Sequence, residues 1–317
     1  MIKKIKAEKN LKIKIKLKLD SLSFYFPLWA LIITNFFWGT TFIFTKVLIN
    51  SYHPFALLSI RFILTSLILF LIYPRTIIRE SRNILVNHYF QVFAVINFLA
   101  IAFQTTGLQY TTASKSGVIT SLCILIVPLV NQFIFKEIIP KFYYITVLFA
   151  FCGIYLISFG LTLPKIINFG DLLTFFSAIF YAFYISILEK IANKFSGATI
   201  IFYVFLFTAI LSLPFIPLID KSLPSLETFL DIKVLINLFG LIILGGIIPY
   251  LLMVYGQKYV SSALAALIYI LEPIFTAILS FIFLQERPSF IQLIGMLIIF
   301  ISLFVGVSIL SQTPKNI

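Results

Sequence analysis

Apolar residues run through this chain in long blocks, and polar residues interrupt them at short intervals. A block of about 20 mostly apolar residues is long enough to cross a bilayer as a helix. Ten blocks fit: 28–49, 54–73, 89–109, 113–135, 142–161, 170–188, 199–219, 234–257, 261–284 and 290–310. Pro54 and Pro288 stand at helix starts, where a missing N–H costs nothing. The blocks are too long for membrane strands and lack their period-two polarity. The pattern predicts an all-α integral membrane protein with ten transmembrane helices.

Composition agrees. The chain is 61% hydrophobic and 11% charged, against about 25% charged in soluble domains. So few charges cannot cover a water-exposed surface, so the lipid bilayer is the first predicted partner. The net charge of +13 would point to nucleic acid in a soluble protein, but here the positive residues lie in a tail and in short loops. Nucleic acid is therefore not expected. Cys123 and Cys152 lie inside apolar blocks without CxxC spacing, so neither a disulfide framework nor a metal site is predicted.

The basic residues also predict orientation. Residues 1–20 carry eight Lys. If the N-terminus is cytoplasmic, 17 Lys and Arg fall on that side and 5 on the other, with Lys46 and Arg61 inside spans. The positive-inside rule then places both termini in the cytoplasm of a plasma (inner) membrane protein. The tail reads as a polybasic segment at anionic headgroups. A secretory signal fits poorly, because the first apolar block is span-length and lacks a small-residue cleavage pattern before Lys46.

The sequence repeats itself. Residues 107–113, G-L-Q-Y-T-T-A, match 256–262, G-Q-K-Y-V-S-S, 149 positions on. The same offset carries Glu137 to Glu286, each followed by a proline, Pro140 and Pro288. Residues 36–42, F-F-W-G-T-T-F, resemble 179–185, I-F-Y-A-F-Y-I, at an offset of 143. The unit is five spans. An odd number makes the second copy enter from the opposite side, and inverted repeats around a midplane site are a hallmark of secondary transporters.

Five stretches carry a family resemblance. They are N-F-F-W-G-T-T-F (35–42), H-P-F-A-L-L-S-I-R-F (53–62), T-T-A-S-K-S-G-V-I-T-S-L (111–122), G-D-L-L-T-F-F-S-A-I-F-Y-A-F-Y (170–184) and S-A-L-A-A-L-I-Y-I-L-E-P-I-F-T-A-I-L-S-F-I-F-L-Q-E-R-P (262–288). Together they resemble an EamA-like member of the drug/metabolite transporter superfamily. The resemblance implies two inverted five-helix repeats, 28–161 and 170–310, between a basic tail, 1–27, and a short C-terminal tail, 311–317. It implies a central cavity lined by spans 1, 3, 4, 6, 8 and 9, and a solute such as an amino acid, a related metabolite or a toxic compound, often exported. One departure stands out: Glu272-Pro273 in the second half corresponds to Cys123-Ile124 in the first, with Pro128 further on.

Single residues sharpen the picture. Glu272 is the only acid deep in a span, where a charge costs about 2.5–3.5 kcal/mol on insertion scales. It reads as a proton carrier, a contact for a substrate amine, or a structural Glu hydrogen-bonded between helices. Pro273 beside it removes a backbone hydrogen bond and is expected to break the helix. Arg61, the deepest cation, can bind a carboxylate, pair with a buried group or snorkel. Helical spacing gathers Asn35, Trp38 and Phe42 on span 1, Asn97 and Gln104 on span 3, Ser177, Tyr181 and Tyr184 on span 6, and Tyr269, Glu272 and Thr276 on span 9. Tyr250 on span 8 completes the set. Polar faces avoid lipid, so these point inward, either lining a cavity or joining helices. Glu137 and Glu286 read as turn residues and helix-dipole partners, Asp171 as part of an N-terminal cap, and His53 and His88 as loop residues on opposite sides.

Rival classes stay open. An intramembrane enzyme acting on a lipid-linked or amphipathic substrate needs paired acids, an activated nucleophile or metal ligands. The chain has no HExxH, no GxSxG, no paired aspartates and no His within a span. A channel needs only a polar path. A scaffold leaves the repeat without a purpose. The reading favoured is a secondary transporter of a small organic solute, an exporter working by alternating access of the two inverted repeats, with no cofactor and no metal, and with a proton as the coupling partner that Glu272 would serve.

Overall fold

The structure is a computed structural model. It describes residues 25–41, 44–45, 48–49, 51–111, 113–162, 167–220, 230–284 and 288–311. The polybasic tail up to residue 24, Phe42, Lys46, Glu286 and the C-terminal residues 312–317 lie outside the described residues.

All regular elements among the described residues are helical. They are α1 (25–41), α2 (Pro54–Ile72), α3 (Pro74–Leu85), α4 (His88–Tyr110), α5 (Ala113–Ser121), α6 (Cys123–Phe133), α7 (Lys141–Phe159), α8 (Phe169–Ala192), α9 (Gly197–Ser212), α10 (Ile232–Ile242), α11 (Ile248–Tyr259), α12 (Ser262–Tyr269), α13 (Glu272–Leu284) and α14 (Phe290–Ser311). Seven segments among the described residues are long and apolar enough to cross a membrane: Pro54–Ile72, His88–Tyr110, Ser116–Phe133, Lys141–Phe159, Phe169–Ala192, Ile232–Tyr259 and Phe290–Leu310. Gly197–Ser212 and Ser262–Thr276 are shorter apolar helices.

The short connections supply their own caps. Asn87 accepts from Phe90 N (3.1 Å) to start α4. Asn168 and Asp171 form a reciprocal capping box on α8, and Ser289 and Gln292 do the same on α14. Each satisfies backbone N–H groups that lack an intrahelical acceptor and that lipid would not solvate. The Asp171 expectation holds, with Thr111 Oγ1 also donating to its carboxylate. His88, expected in a loop, is the first residue of α4.

Three elements depart from the sequence reading. The stretch holding Arg75, Arg79 and Arg82, taken as a loop, is the amphipathic helix α3. The helix of 199–219 ends at Ser212, and a π-helical turn, Ile216–Asp220, follows. A second π-helical turn, Ile243–Ile247, joins α10 to α11.

Helices pack without a hydrophobic force between them in lipid, so close contact depends on small residues and polar contacts. The tightest pairs are α4 with α8, α7 with α14, and α2 with α9. At Gly107 of α4, a Cβ would come within 2.8 Å of Thr174 Oγ1 and 2.9 Å of Gly170 O on α8. At Gly256 of α11, it would come within 2.5 Å of Leu31 and 3.1 Å of Pro27 O on α1. Gly107 and Gly256 are 149 residues apart, and Gly170 and Thr174 lie 143 beyond Pro27 and Leu31. The same offsets relate two hydrogen bonds, Ser177 Oγ to Ala100 O (2.7 Å) and Thr34 Oγ1 to Pro249 O (3.1 Å). Phe62 of α2 and Phe205 of α9, also 143 apart, face each other with ring centres 4.5 Å apart.

Candidate functional site

Two apolar helical segments are interrupted at matching points. α5 gives way to α6 at Leu122, whose N–H bonds back three residues to Ile119 O (3.1 Å). α12 gives way to α13 at Leu271, whose N–H bonds back three residues to Ile268 O (3.0 Å). Beyond each break, Ile126 N bonds to Leu122 O and Phe275 N to Leu271 O. Each pair is 149 residues apart. The first residues of the new segments are Cys123 and Glu272.

The break expected beside Pro273 is present: α12 ends at Tyr269 and Pro273 falls in the first turn of α13, where its missing N–H is not needed. The break at Leu122 has no adjacent proline. Pro128 lies inside α6. The expectation that Tyr269, Glu272 and Thr276 share one helical face also changes, because Tyr269 ends α12 before Glu272 begins α13.

The expected aromatic residues come together. Trp38 of α1 meets Tyr250 of α11 edge-on at 5.6 Å and Tyr269 of α12 at 5.4 Å. Tyr250 packs against Phe205 at 4.8 Å. A second group forms where α4 faces α8. Tyr181 donates to Gln104 Oε1 (3.0 Å), and Gln104 Nε2 donates to Thr120 Oγ1 (3.2 Å). Tyr184 sits edge-on to Tyr181 and stacks on Phe93 at 4.5 Å. Asn35 donates to Leu31 O (2.6 Å) and Asn97 to Thr208 Oγ1 (2.8 Å); both are fully buried, and the carbonyl oxygen of each amide has no partner among the described residues.

The charged pair is not a salt bridge. Arg61 donates to Gly245 O (3.0 Å) in the π-helical turn and lies 4.8 Å over the Phe62 ring. Its Nε has no partner among the described residues. The Glu272 carboxylate has no hydrogen-bond or ion-pair partner among the described residues; its backbone carbonyl accepts from Thr276 Oγ1 (2.9 Å). Tyr181 and Tyr250 are electrostatic neighbours of both Arg61 and Glu272. Cys123 is a neighbour of Glu272, Tyr181 and Tyr269. The sequence reading took Cys123 for packing; the repeat offset to Glu272 was the signal that it shares the site.

Other polar residues do structural work elsewhere. Glu137, read as a turn residue, pairs with Lys190 (2.6 Å), which also lies 5.0 Å over the Phe135 ring. Neighbouring Glu189 accepts from Ser262 N (2.6 Å) at the start of α12. Asp220, outside the predicted spans, is buried and accepts from Ala56 N (2.7 Å) in the first turn of α2. Burial raises its carboxyl above the ordinary aspartate value, against the opposing pull of the Ala56 N–H and of His53. His53 thus has a neighbour that its sequence position did not reveal.

Known proteins resemble this chain along its length. The model of the EamA-like transporter family matches twice, over residues 26–159 and 168–308. A protein of Archaeoglobus fulgidus named as an uncharacterized transporter is 27% identical over 268 residues, covering 84% of this chain and 81% of that protein. The uncharacterized transporter YetK of Bacillus subtilis is 24% identical over 282 residues, covering 85% and 83%. A crystal structure at 16% identity superposes with a TM-score of 0.69, covering 92% of this chain and 96% of the other.

Proposed function

The chain belongs to the EamA-like transporter family, and from that premise we propose that it is a secondary transporter exporting a small organic solute by alternating access. Membership makes it a multi-pass membrane transporter and not an enzyme. The proposal adds ten spans in two inverted five-helix repeats, 28–161 and 170–310, with both termini in the cytoplasm of the plasma membrane.

The observation that carries it is the matched interruption at Leu122 and Leu271, which puts Cys123 and Glu272 at the starts of two half-helices. Discontinuous helices at a repeat interface are how transporters present polar groups at the midplane. The contacts repeated at offsets of 143 and 149 support a pseudo-two-fold relation, in which a contact made once is made again by the equivalent residues. The excess of Lys and Arg on the N-terminal side supports the orientation.

In this mechanism the solute binds among α1, α4, α6, α8, α11 and α13. Trp38, Tyr250 and Tyr269 offer aromatic surface, while the Gln104–Tyr181 pair and the amides of Asn35 and Asn97 offer polar contacts. Glu272, without a partner among the described residues, is the charged contact or the proton-coupled group, and Arg61 is a cationic contact near the same tyrosines. The two halves rock around this set. An amino acid or a similar amphipathic metabolite suits such a lining.

The test is metabolite exchange. Cells expressing the parent chain or Glu272→Ala at matched membrane levels are compared by mass spectrometry of medium and cytosol. A pool that moves outward with the parent and not with the variant is expected. No moving pool with the parent overturns the export reading; equal movement with both removes Glu272 from the mechanism.

A further inference from the structure

We propose that α3 is an in-plane helix that binds the headgroups of anionic phospholipids through Arg75, Arg79 and Arg82. This rests on the protein being in a membrane and not on the transport reading.

The argument begins with the helical wheel of α3, whose residues advance about 100° each. Ile77 and Ile84 are buried and lie on one face. Glu80, on the same side, accepts from Ser196 N (2.9 Å), the cap residue of α9. This face docks α3 on the protein. The three arginines fall within about 60° of one another on the opposite face, and all three are exposed. Between those faces on one flank lie Ile78 and Leu85, both exposed apolar residues. On the other flank lie Thr76 and Asn83.

Those four sectors match the layers met by a helix lying at a membrane surface: protein, acyl chains, headgroups and water. Ile78 and Leu85 face the acyl boundary, the guanidinium groups reach the phosphate layer, and Thr76 and Asn83 face water. Interfacial helices have this composition.

The charges themselves call for a partner. Arg79 approaches Glu80 only at 3.7 Å with its side chain 76% exposed, and Glu80 is already bound to Ser196 N. Arg75 and Arg82 have no acidic partner among the described residues. At the elbow where α2 turns into α3, Leu71, Ile72, Tyr73, Pro74, Arg75 and Thr76 line an open depression of about 300 Å³. Arg is also the side chain whose planar donors match phosphate oxygens.

The experiment uses purified full-length protein in neutral detergent. Phosphatidylglycerol, phosphatidylcholine or inorganic phosphate is added, and bound lipid is counted by native mass spectrometry alongside the thermal midpoint. Two variants are compared: Arg75→Gln/Arg79→Gln/Arg82→Gln, and a charge-matched tail variant, Lys3→Gln/Lys4→Gln/Lys6→Gln. The parent is expected to retain phosphatidylglycerol and be stabilised by it over phosphatidylcholine. The α3 variant should bind it about tenfold more weakly or worse, and the tail variant, which keeps five of its eight Lys, should lose clearly less. If the α3 variant does not fold, Arg82→Gln alone carries the comparison, with about a fivefold loss expected. Equal binding by parent and α3 variant, or an equal loss in the tail variant, overturns the proposal. A matching shift with inorganic phosphate overturns it too, because the ligand would then be a soluble anion.

Discussion

Gly153 of α7 and Gly295 of α14 meet backbone to backbone: a Cβ on either would lie 2.7 Å from the carbonyl oxygen of the other. The relation is reciprocal, and the two glycines are 142 residues apart. It is the kind of contact that two equivalent helices make across a shared axis. The obstacle on each side is backbone, which cannot rotate aside as a flexible side chain can.

Gly153→Ala should therefore be destabilised by about 1–3 kcal/mol, the usual cost of forcing extra atoms into a packed interior. Gly117→Ala, where a Cβ meets nothing within 4 Å, should be neutral or gain up to about 1 kcal/mol of helix stability. Thermal unfolding in detergent compares them. A Gly153→Ala midpoint equal to that of Gly117→Ala would show that α7 and α14 do not meet this closely.

Lys190 joins α8 to the exit of α6 through Glu137. A double-mutant cycle with Lys190→Met and Glu137→Gln should return a coupling of about 1 kcal/mol, at the upper end for exposed pairs, because both side chains are less than a third exposed. The swap Lys190→Glu with Glu137→Lys should recover only part of the loss, since Phe135 then faces an anion. Single-variant losses that simply add would remove the pair from the packing account.

Asp220 predicts a pH dependence. Its native carboxyl value is raised by burial above the ordinary 3.8, so the native state holds this proton more tightly than the unfolded chain. Its contribution to stability is full below the unfolded value and is lost as pH rises through the native one. Asp220→Asn keeps an acceptor for Ala56 N but cannot ionise. The stability of the parent relative to Asp220→Asn should rise as pH falls from neutrality towards 4. A difference that stays flat, or runs the other way, would mean the carboxylate is stabilised where it stands.

Tyr181→Phe removes the hydroxyl that donates to Gln104. If this pair contacts the solute, transport should fall about fivefold or more at matched membrane level, from one lost hydrogen bond of about 1 kcal/mol. The thermal midpoint should fall by no more than the loss of Gln104 Oε1's donor, about 1 kcal/mol, since Gln104 Nε2 keeps its bond to Thr120. Unchanged transport with lowered stability would make the pair helix glue.

The order of apolar blocks was enough to place most helices, because a bilayer demands runs of apolar residues and internal backbone hydrogen bonds. The offsets of 143 and 149 were equally legible, since repetition needs no coordinates. The convergence of Trp38, Tyr250 and Tyr269 also followed from polar and aromatic faces turning away from lipid. What required the tertiary structure was everything set by who stands opposite whom. Glu137 found Lys190 across 53 residues and Asp220 found Ala56 across 164, and no local pattern encodes such partners. The helix α3 escaped notice because it is too short and charged to resemble a span, and its buried face is defined by packing on α9, α2 and α4. The break at Leu271 was legible in Glu272-Pro273, whereas the one at Leu122 was hidden, because apolar residues continue through it and no proline stands beside it.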